Sequence, residues 1–280
     1  MNRSSVTQQS ATAFFRRLHN EGCFVIPNPW DPGTARYLHH LGFKALATTS
    51  AGYAFSRGKP DGGVALDEML AHIAEVVAAT SLPVNADFLN GFADEPAGVA
   101  INVAHCLATG VAGLSIEDST GRNDLPLYDE KLAVARIAAA RRAIDEAGVP
   151  VLLTGRCEAF LVEYPEPLPT SLRRLAAYAE AGADCLYAPG VTEPEEIAAI
   201  VKVVAPKPVN VLVSGFNSQL SLEQLADLGV RRISVGSGLA LAAWGAFTRA
   251  ARAIFEQGEF ASLAASARSG ELTNAFPKSA

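Results

Sequence analysis

The sequence predicts an α/β fold, a single (β/α)8 TIM barrel, and three observations carry that expectation. Eight short apolar runs each end in polar or small residues and give way to a helical pattern: Cys23 to Pro27, Ala45 to Ser50, Val84 to Phe88, Leu114 to Asp118, Val151 to Arg156, Cys185 to Pro189, Val209 to Val213 and Ile233 to Gly236. Eight such units in one chain of this size is the arithmetic of the barrel. The stretches between them repeat one phrase, a helix end, then glycine, then an apolar residue: Leu41-Gly42-Phe43, Thr109-Gly110-Val111, Ala147-Gly148-Val149, Ala181-Gly182-Ala183 and Leu228-Gly229-Val230. Glycine just past a helix adopts the left-handed conformation that side chains resist. The runs are also near-continuous rather than alternating, as strands buried on both faces require.

The elements follow in order. From Ser5 to Asn20 the spacing of Ala13, Phe14 and Leu18 is helical, and this helix is expected to cross the bottom of the barrel. Asp31 before Pro32 reads as an N-cap with proline in the first turn. Thr192-Glu193-Pro194-Glu195 and Ser221-Leu222-Glu223 read as helix starts of the same kind. After the last run comes an alanine-rich helix, Leu239 to Phe255, carrying Trp244 and Phe247. It suits a cover for the eighth strand and a face on another subunit equally well. Residues 1–9 and the polar tail from Gly270 to Ala280 are expected to be flexible, and 1–280 reads as one domain.

Composition narrows the function classes. The 280 residues are 49% hydrophobic and 19% charged, with a net charge of −6 and no basic stripe. Nucleic acid is therefore excluded as a partner, because phosphate binding needs clustered Lys and Arg. Met1 to Gln9 lacks the apolar core of a secretory signal, and no run reaches a membrane-spanning length, so no membrane association is expected. Cys23, Cys106, Cys157 and Cys185 are widely separated, which fits reduced thiols in the cytoplasm better than a disulfide framework or a zinc site.

In such a barrel the chemistry sits at the C-terminal ends of the strands. The second run leaves through Ser50, Ala51, Gly52 and Tyr53, small residues whose backbone N–H groups can face an anion. The loop beyond holds Arg57, Lys59 and Asp61, and Pro60-Asp61-Gly62 is also ordinary turn chemistry. The third run ends in Asp87, and Asn90-Gly91-Phe92 follows it. Glu117 and Asp118 end the fourth run; by alternation Asp118 points away from the mouth and reads as structural. Carboxylates converging from neighbouring strands repel one another unless a divalent cation sits among them, and an oxygen-only site with several waters suits Mg2+. The fifth run supplies Arg156, able to grip a carboxylate bidentately and to balance Asp87 and Glu117. Cys157 alternates inward as a core thiol. Tyr187 and Asn210 offer polar contacts, and Val235-Gly236-Ser237-Gly238 resembles a phosphate-cradling turn or a simple helix start. No lysine ends the fifth to seventh runs, against Schiff-base chemistry. His19, His39, His40, His72 and His105 fall in expected helices, and there is no Ser-His-Asp set or nicotinamide fingerprint.

The order of these elements resembles the isocitrate lyase/phosphoenolpyruvate mutase superfamily. The likeness covers the chain from Pro27-Asn28-Pro29-Trp30-Asp31 to about Trp244. Its markers are Thr49-Ser50-Ala51-Gly52, Pro60-Asp61-Gly62, Pro83-Val84-Asn85-Ala86-Asp87 with Gly91-Phe92, Ser115-Ile116-Glu117-Asp118-Ser119, and Gly155-Arg156-Cys157-Glu158-Ala159-Phe160. The resemblance implies a barrel whose eighth helix is swapped with a partner in a homodimer or homotetramer. It implies Mg2+ held by Asp87, with Glu117 contacting it through water. Ser50 to Gly52 and Arg156 would hold a 2-oxo carboxylate, and Asp61 would lie beside the reacting bond. Tyr53 and Asn210 complete the expected substrate contacts. Two departures refine this. The Lys-[Lys/Arg]-Cys-Gly-His run of the isocitrate and methylisocitrate lyases is replaced by Ser119-Thr120-Gly121-Arg122-Asn123-Asp124-Leu125-Pro126, which removes those two activities. Leu89 stands where the family often has a second acid. The expected function is a cytoplasmic Mg2+-dependent lyase or decarboxylase. It would act on a small 2-oxo or 2-hydroxy carboxylic acid through an enolpyruvate-like intermediate. The alternatives are a P–C bond enzyme of the phosphonopyruvate hydrolase or phosphoenolpyruvate mutase kind, and a non-catalytic binder of 2-oxo acids.

Overall fold

The computed structural model describes residues 3–215 and 219–276, with side chains from residue 8 onward. Eight parallel strands carry the architecture: β1 (Phe24–Ile26), β2 (Leu46–Ala47), β3 (Val84–Asp87), β4 (Gly113–Glu117), then, after a two-stranded hairpin β5 (Ser119–Arg122) and β6 (Leu125–Leu127), β7 (Leu152–Arg156), β8 (Cys185–Tyr187), β9 (Val209–Leu212) and β10 (Arg232–Ser234). Their spatial order is β1-β10-β9-β8-β7-β4-β3-β2. The remaining seam, between β1 and β2, is joined where the Ala47 N–H donates to the Pro27 carbonyl at 3.1 Å. The result is a (β/α)8 barrel, as the eight runs predict.

Helices α1 (Arg3–Asn20), α2 (Pro32–His40), α3 (Ser50–Ser56), α4 (Leu66–Ala78), α5 (Pro96–Ala108), α6 (Glu130–Glu146), α7 (Pro167–Glu180), α8 (Pro194–Val204), α9 (Leu222–Asp227), α10 (Gly238–Gln257) and α11 (Ser269–Ala275) complete the described chain. Asp31 caps α2 by accepting the Thr34 N–H at 2.6 Å in a capping box, and Ser221 caps α9 through a box with Gln224. Glu193 caps α8 without a side-chain hydrogen bond, so that helix start rests on Pro194 alone.

Helix α1 closes the bottom of the barrel. Phe15 is fully buried with Ile26, Ala45, Ala47, Leu152 and Cys185. Gly113 is required there, since a Cβ would stand 2.7 Å from the Phe15 ring and from the Asn85 Oδ1 atom.

One part of the structure differs from the sequence expectation: Ser50 does not end a strand; it opens the extra helix α3, with Thr49 as N-cap. In the tail, α11 packs on α2 and buries Ala275, and α1 begins at Arg3; residues 1–2 and 277–280 lie outside the described residues. Of the two uses open to α10, covering the eighth strand is ruled out. Only Ala240 is buried along its length, and Leu241, Trp244, Phe247 and Phe255 are exposed.

Candidate active site

Strand alternation aims Asp87, Glu117 and Arg156 from β3, β4 and β7 toward the mouth. Glu117 and Arg156 are register partners on adjacent strands, so their side chains emerge side by side. Arg156 Nη1 stands 3.3 Å from Asp87 Oδ1 and 3.3 Å from Glu117 Oε2. Its Nε donates to Glu158 Oε1, and its guanidinium lies 5.2 Å from the centre of the Tyr187 ring. Asp87 is fixed from its other side: the Ser50 N–H and Oγ–H both donate to Oδ2, at 2.9 and 2.8 Å. The Asp87 N–H in turn donates to Thr48 Oγ1 at 2.9 Å.

The electrostatics of this rim are strongly acidic. Burial pushes Glu117 well above the usual carboxylate range. Arg156 opposes that shift, while Glu158, Asp87 and Asp61 add to it. Glu158 is raised for the same leading reason, with Arg156 again in opposition. Burial alone would lower Arg156, but the charges of Glu158 and Glu117 outweigh it and hold the guanidinium well above its ordinary value. Burial pushes the Tyr187 phenol up to about 12. Three carboxylates, Asp87, Glu117 and Glu158, thus share one guanidinium, a surplus of negative charge that favours a further cation. Among the described residues no group of three or more His, Cys, Asp or Glu is arranged as metal ligands. Asp87 and Glu117, both beside Arg156, are the pair that could hold a cation, with water completing its coordination. That fits Mg2+, which keeps several waters, and does not fit a metal that demands an all-protein cage.

The remaining predicted residues are placed as follows. Asp61 is exposed in the loop over the mouth, its carboxylate accepting the Gly62 N–H at 2.9 Å. Desolvation by the surrounding loop and then the Asp87 charge raise it, and Arg156 lowers it, so it belongs to the same electrostatic field without touching either residue. Arg57 and Lys59, from the same loop, both pair with Glu68, at 3.1 and 2.5 Å. Asn210 lines the cavity with its amide bonded to Ser234 and Arg232. The Ser50 N–H donates to the Asp87 carboxylate and the Gly52 N–H to Thr49 Oγ1, so both are engaged within the protein; Ala51 lies between them on α3. Tyr53 is not brought to the cavity. Its ring stacks on His72 of α4, centroids 3.7 Å apart and 9° from parallel.

Asp118 is structural, as alternation predicts. It is buried and accepts from Arg174 Nη1 (3.0 Å), the Tyr178 hydroxyl (2.6 Å) and the Glu158 N–H (2.8 Å). Cys157 is a buried core thiol. Leu89, in place of an acid, takes φ +46 and its carbonyl accepts the Glu117 N–H at 3.0 Å, so it tethers the end of β4 by its backbone.

Sequence reasoning passed over four residues that line or border the cavity: Asn28, Glu158, Arg232 and Ser234. The Asn28 Oδ1 atom accepts the N–H groups of Val235 and Gly236, at 3.0 and 2.9 Å, which stitches β1 to the glycine turn after β10. Period-2 counting back from Ser234 would have found Arg232, had the eighth run been started one residue earlier.

Residues 15–255 match the phosphoenolpyruvate phosphomutase family model. The chain is 36% identical over 243 residues to the uncharacterized protein Rv1998c of Mycobacterium tuberculosis, covering 86% of this chain and 88% of that one. A candidate lyase/mutase from Burkholderia cenocepacia J2315 superposes with TM-score 0.91 at 49% identity, covering 96% of each chain. The structure of 2,3-dimethylmalate lyase, a PEP mutase/isocitrate lyase superfamily member, superposes with TM-score 0.83 at 26% identity, covering 95% and 94%. These matches span nearly the whole barrel and every rim strand, and the chain belongs to the phosphoenolpyruvate phosphomutase family, within the isocitrate lyase/PEP mutase superfamily of lyases and mutases.

Proposed function

We propose that the chain is a Mg2+-dependent lyase or decarboxylase, cleaving a C–C bond of a small 2-oxo or 2-hydroxy carboxylic acid through an enolpyruvate-like intermediate. The observation that carries this reading is Arg156 within 3.3 Å of both Asp87 and Glu117 at the barrel mouth. A cation-binding pair of acids and a carboxylate-binding guanidinium there share one small space. Asp87 and Glu117 would hold the metal. When bound, Mg2+ supplies a Lewis acid for the negative charge that develops on a carbonyl oxygen.

The chain's own groups do the rest. Ser50 holds Asp87 so that one carboxylate oxygen keeps a fixed direction. Arg156 has Nε on Glu158 and Nη1 among the acids, so a substrate carboxylate would meet its Nη2 edge. Asp61, in the loop over the mouth, is placed to orient the departing part of the substrate. Similarity to 2,3-dimethylmalate lyase supports the hydroxy-acid class. No helix of the described chain is long and apolar enough to cross a membrane. A cytoplasmic setting is supported by four free cysteines, three of them buried. The bare apolar face of α10 supports a homodimer or homotetramer.

The test is thermal stability with oxalate in the presence and absence of Mg2+, followed by turnover of oxaloacetate and phosphonopyruvate. The expected result is stabilisation by oxalate only with Mg2+, abolished in Asp87→Ala, together with turnover of oxaloacetate. A shift that survives in Asp87→Ala would remove the metal assignment. Turnover of phosphonopyruvate alone would replace C–C by P–C chemistry, and metal-dependent binding without any turnover would leave a binding protein.

A further inference from the structure

We propose that the barrel interior contains a second anion-binding subsite, centred on Arg232 below the rim, that takes one carboxylate group or a small inorganic anion. Arg232 is 3% exposed and lines the same cavity as Asp87 and Arg156. Its guanidinium is held by neutral groups: Nε donates to Asn210 Oδ1 (2.8 Å), Nη2 to Thr154 Oγ1 (2.9 Å), and Nη1 faces His19 Nε2 (3.3 Å).

The tautomer of His19 is set by its other nitrogen. Nδ1 lies 2.8 Å from the Phe15 carbonyl, which can only accept, so Nδ1 carries the hydrogen and Nε2 presents its lone pair to Arg232. Burial and the Arg232 charge push the imidazole down to about 3, which keeps it neutral. Among the described residues no carboxylate lies within 4.0 Å of Arg232, whereas Arg174, comparably buried, has Asp118 at 3.0 Å. Burying an unpaired cation is costly; Arg174 meets that cost with an acid, and Arg136, also buried, with the backbone carbonyls of Asn90, Ala93 and Asp94.

Three neutral acceptors use three of the five guanidinium hydrogens, and the rest have no assigned protein carboxylate to meet. A second buried group on the cavity wall is also unfulfilled: Asn85 is 5% exposed and its Oδ1 has no hydrogen-bond partner. The Arg232 cation points to a guest in the cavity that carries negative charge; the Asn85 oxygen is an acceptor and would be met by a water that donates both to it and to that guest. Arg156 above and Arg232 below then divide the cavity into two carboxylate positions. A dicarboxylate spanning them would rest on the proposed rim chemistry; a free anion at Arg232 would not.

Isothermal titration of wild type, Arg232→Gln, Arg232→Lys and Asp87→Ala with chloride, pyruvate and malonate, in EDTA, separates the possibilities. Wild type and Asp87→Ala are expected to bind malonate or chloride, and Arg232→Gln to bind the same anion at least about tenfold more weakly, with Arg232→Lys between. If the guest is the far carboxylate of a substrate, the loss falls on malonate and spares pyruvate; if it is a free anion, the loss falls on chloride. Circular dichroism checks folding, and Arg232→Lys keeps the test decisive should Arg232→Gln not fold. Equal affinities, within twofold, of wild type and the Arg232 variants for all three anions would overturn the subsite. Because no metal or turnover enters the measurement, failure of the rim chemistry would appear separately, as anion binding without activity.

Discussion

Ser50 and Asp87 are joined twice, by the Ser50 N–H at 2.9 Å and the Ser50 hydroxyl at 2.8 Å, both onto Asp87 Oδ2. The first turn of α3 thereby holds the acid that ends β3, and the other carboxylate oxygen turns toward Arg156. Ser50→Ala keeps the backbone bond and removes the hydroxyl, a charge-assisted bond worth about 1.5–3 kcal/mol. Urea unfolding should show a loss of that order, and Mg2+-dependent oxalate stabilisation should weaken. Unchanged Mg2+ affinity in this variant would mean that Asp87 needs no support from Ser50.

The Asp118 network predicts a larger effect. Asp118, Arg174 and Tyr178 are all buried, and Asp118 also receives the N–H of Glu158, two residues beyond Arg156. Asp118→Asn leaves the Arg174 cation without its acid, which costs about 3–5 kcal/mol at buried pairs. Denaturant unfolding measures this. A loss below about 1 kcal/mol would show that Arg174 finds water or another acceptor.

Two buried histidines lower stability on the acid side. Burial pushes His72 from 6.5 down to about 4, and burial with Arg232 pushes His19 from 6.5 down to about 3. In both, the unfolded chain binds a proton below pH 6.5 that the folded chain refuses. Their share of stability is therefore complete above pH 6.5 and is lost as pH falls toward 4 for His72 and toward 3 for His19. The slope is about 1.4 kcal/mol per pH unit for each. His72→Phe preserves a ring against Tyr53 and should flatten the unfolding free energy between pH 6.5 and 4 by one histidine's share. An unaltered slope would place the titration elsewhere.

The exposed face of α10 predicts association. Trp244 and Phe247 meet edge to face with centroids 5.4 Å apart, yet remain 40% and 62% exposed. An apolar surface of this kind is covered by a partner in stable soluble proteins. Analytical ultracentrifugation should give a mass at least twice 29.3 kDa, and Phe247→Glu should reduce it. A monomeric wild type would leave the face without that explanation.

Most of the barrel was legible because its signals are local. Each strand is an apolar run, each αβ turn has its glycine, and Asp87, Glu117 and Arg156 stand out as charges directly after apolar residues. Other features are not local. Arg231 and Arg232 are adjacent and chemically alike; only the start of β10 decides that Arg232 faces inward and Arg231 outward. Tyr53 reads as a pocket residue from its place after Ser50, but the register of α4 sets His72 under its ring. Arg57 and Lys59 stand in the sequence as loop cations without a partner, and only the fold brings Glu68 of α4 to both.

The sequence by itself determined the family, the eight barrel strands in order, and the charges Asp87, Glu117 and Arg156 at the mouth, because alternation and turn chemistry act over a few residues. Only the tertiary structure decided which charges are balanced. It placed Arg156 among three acids, gave Arg174 its own, and left Arg232 among neutral partners. Pairing of charges depends on distance and burial between strands far apart in the chain, and those quantities exist only once the barrel has closed.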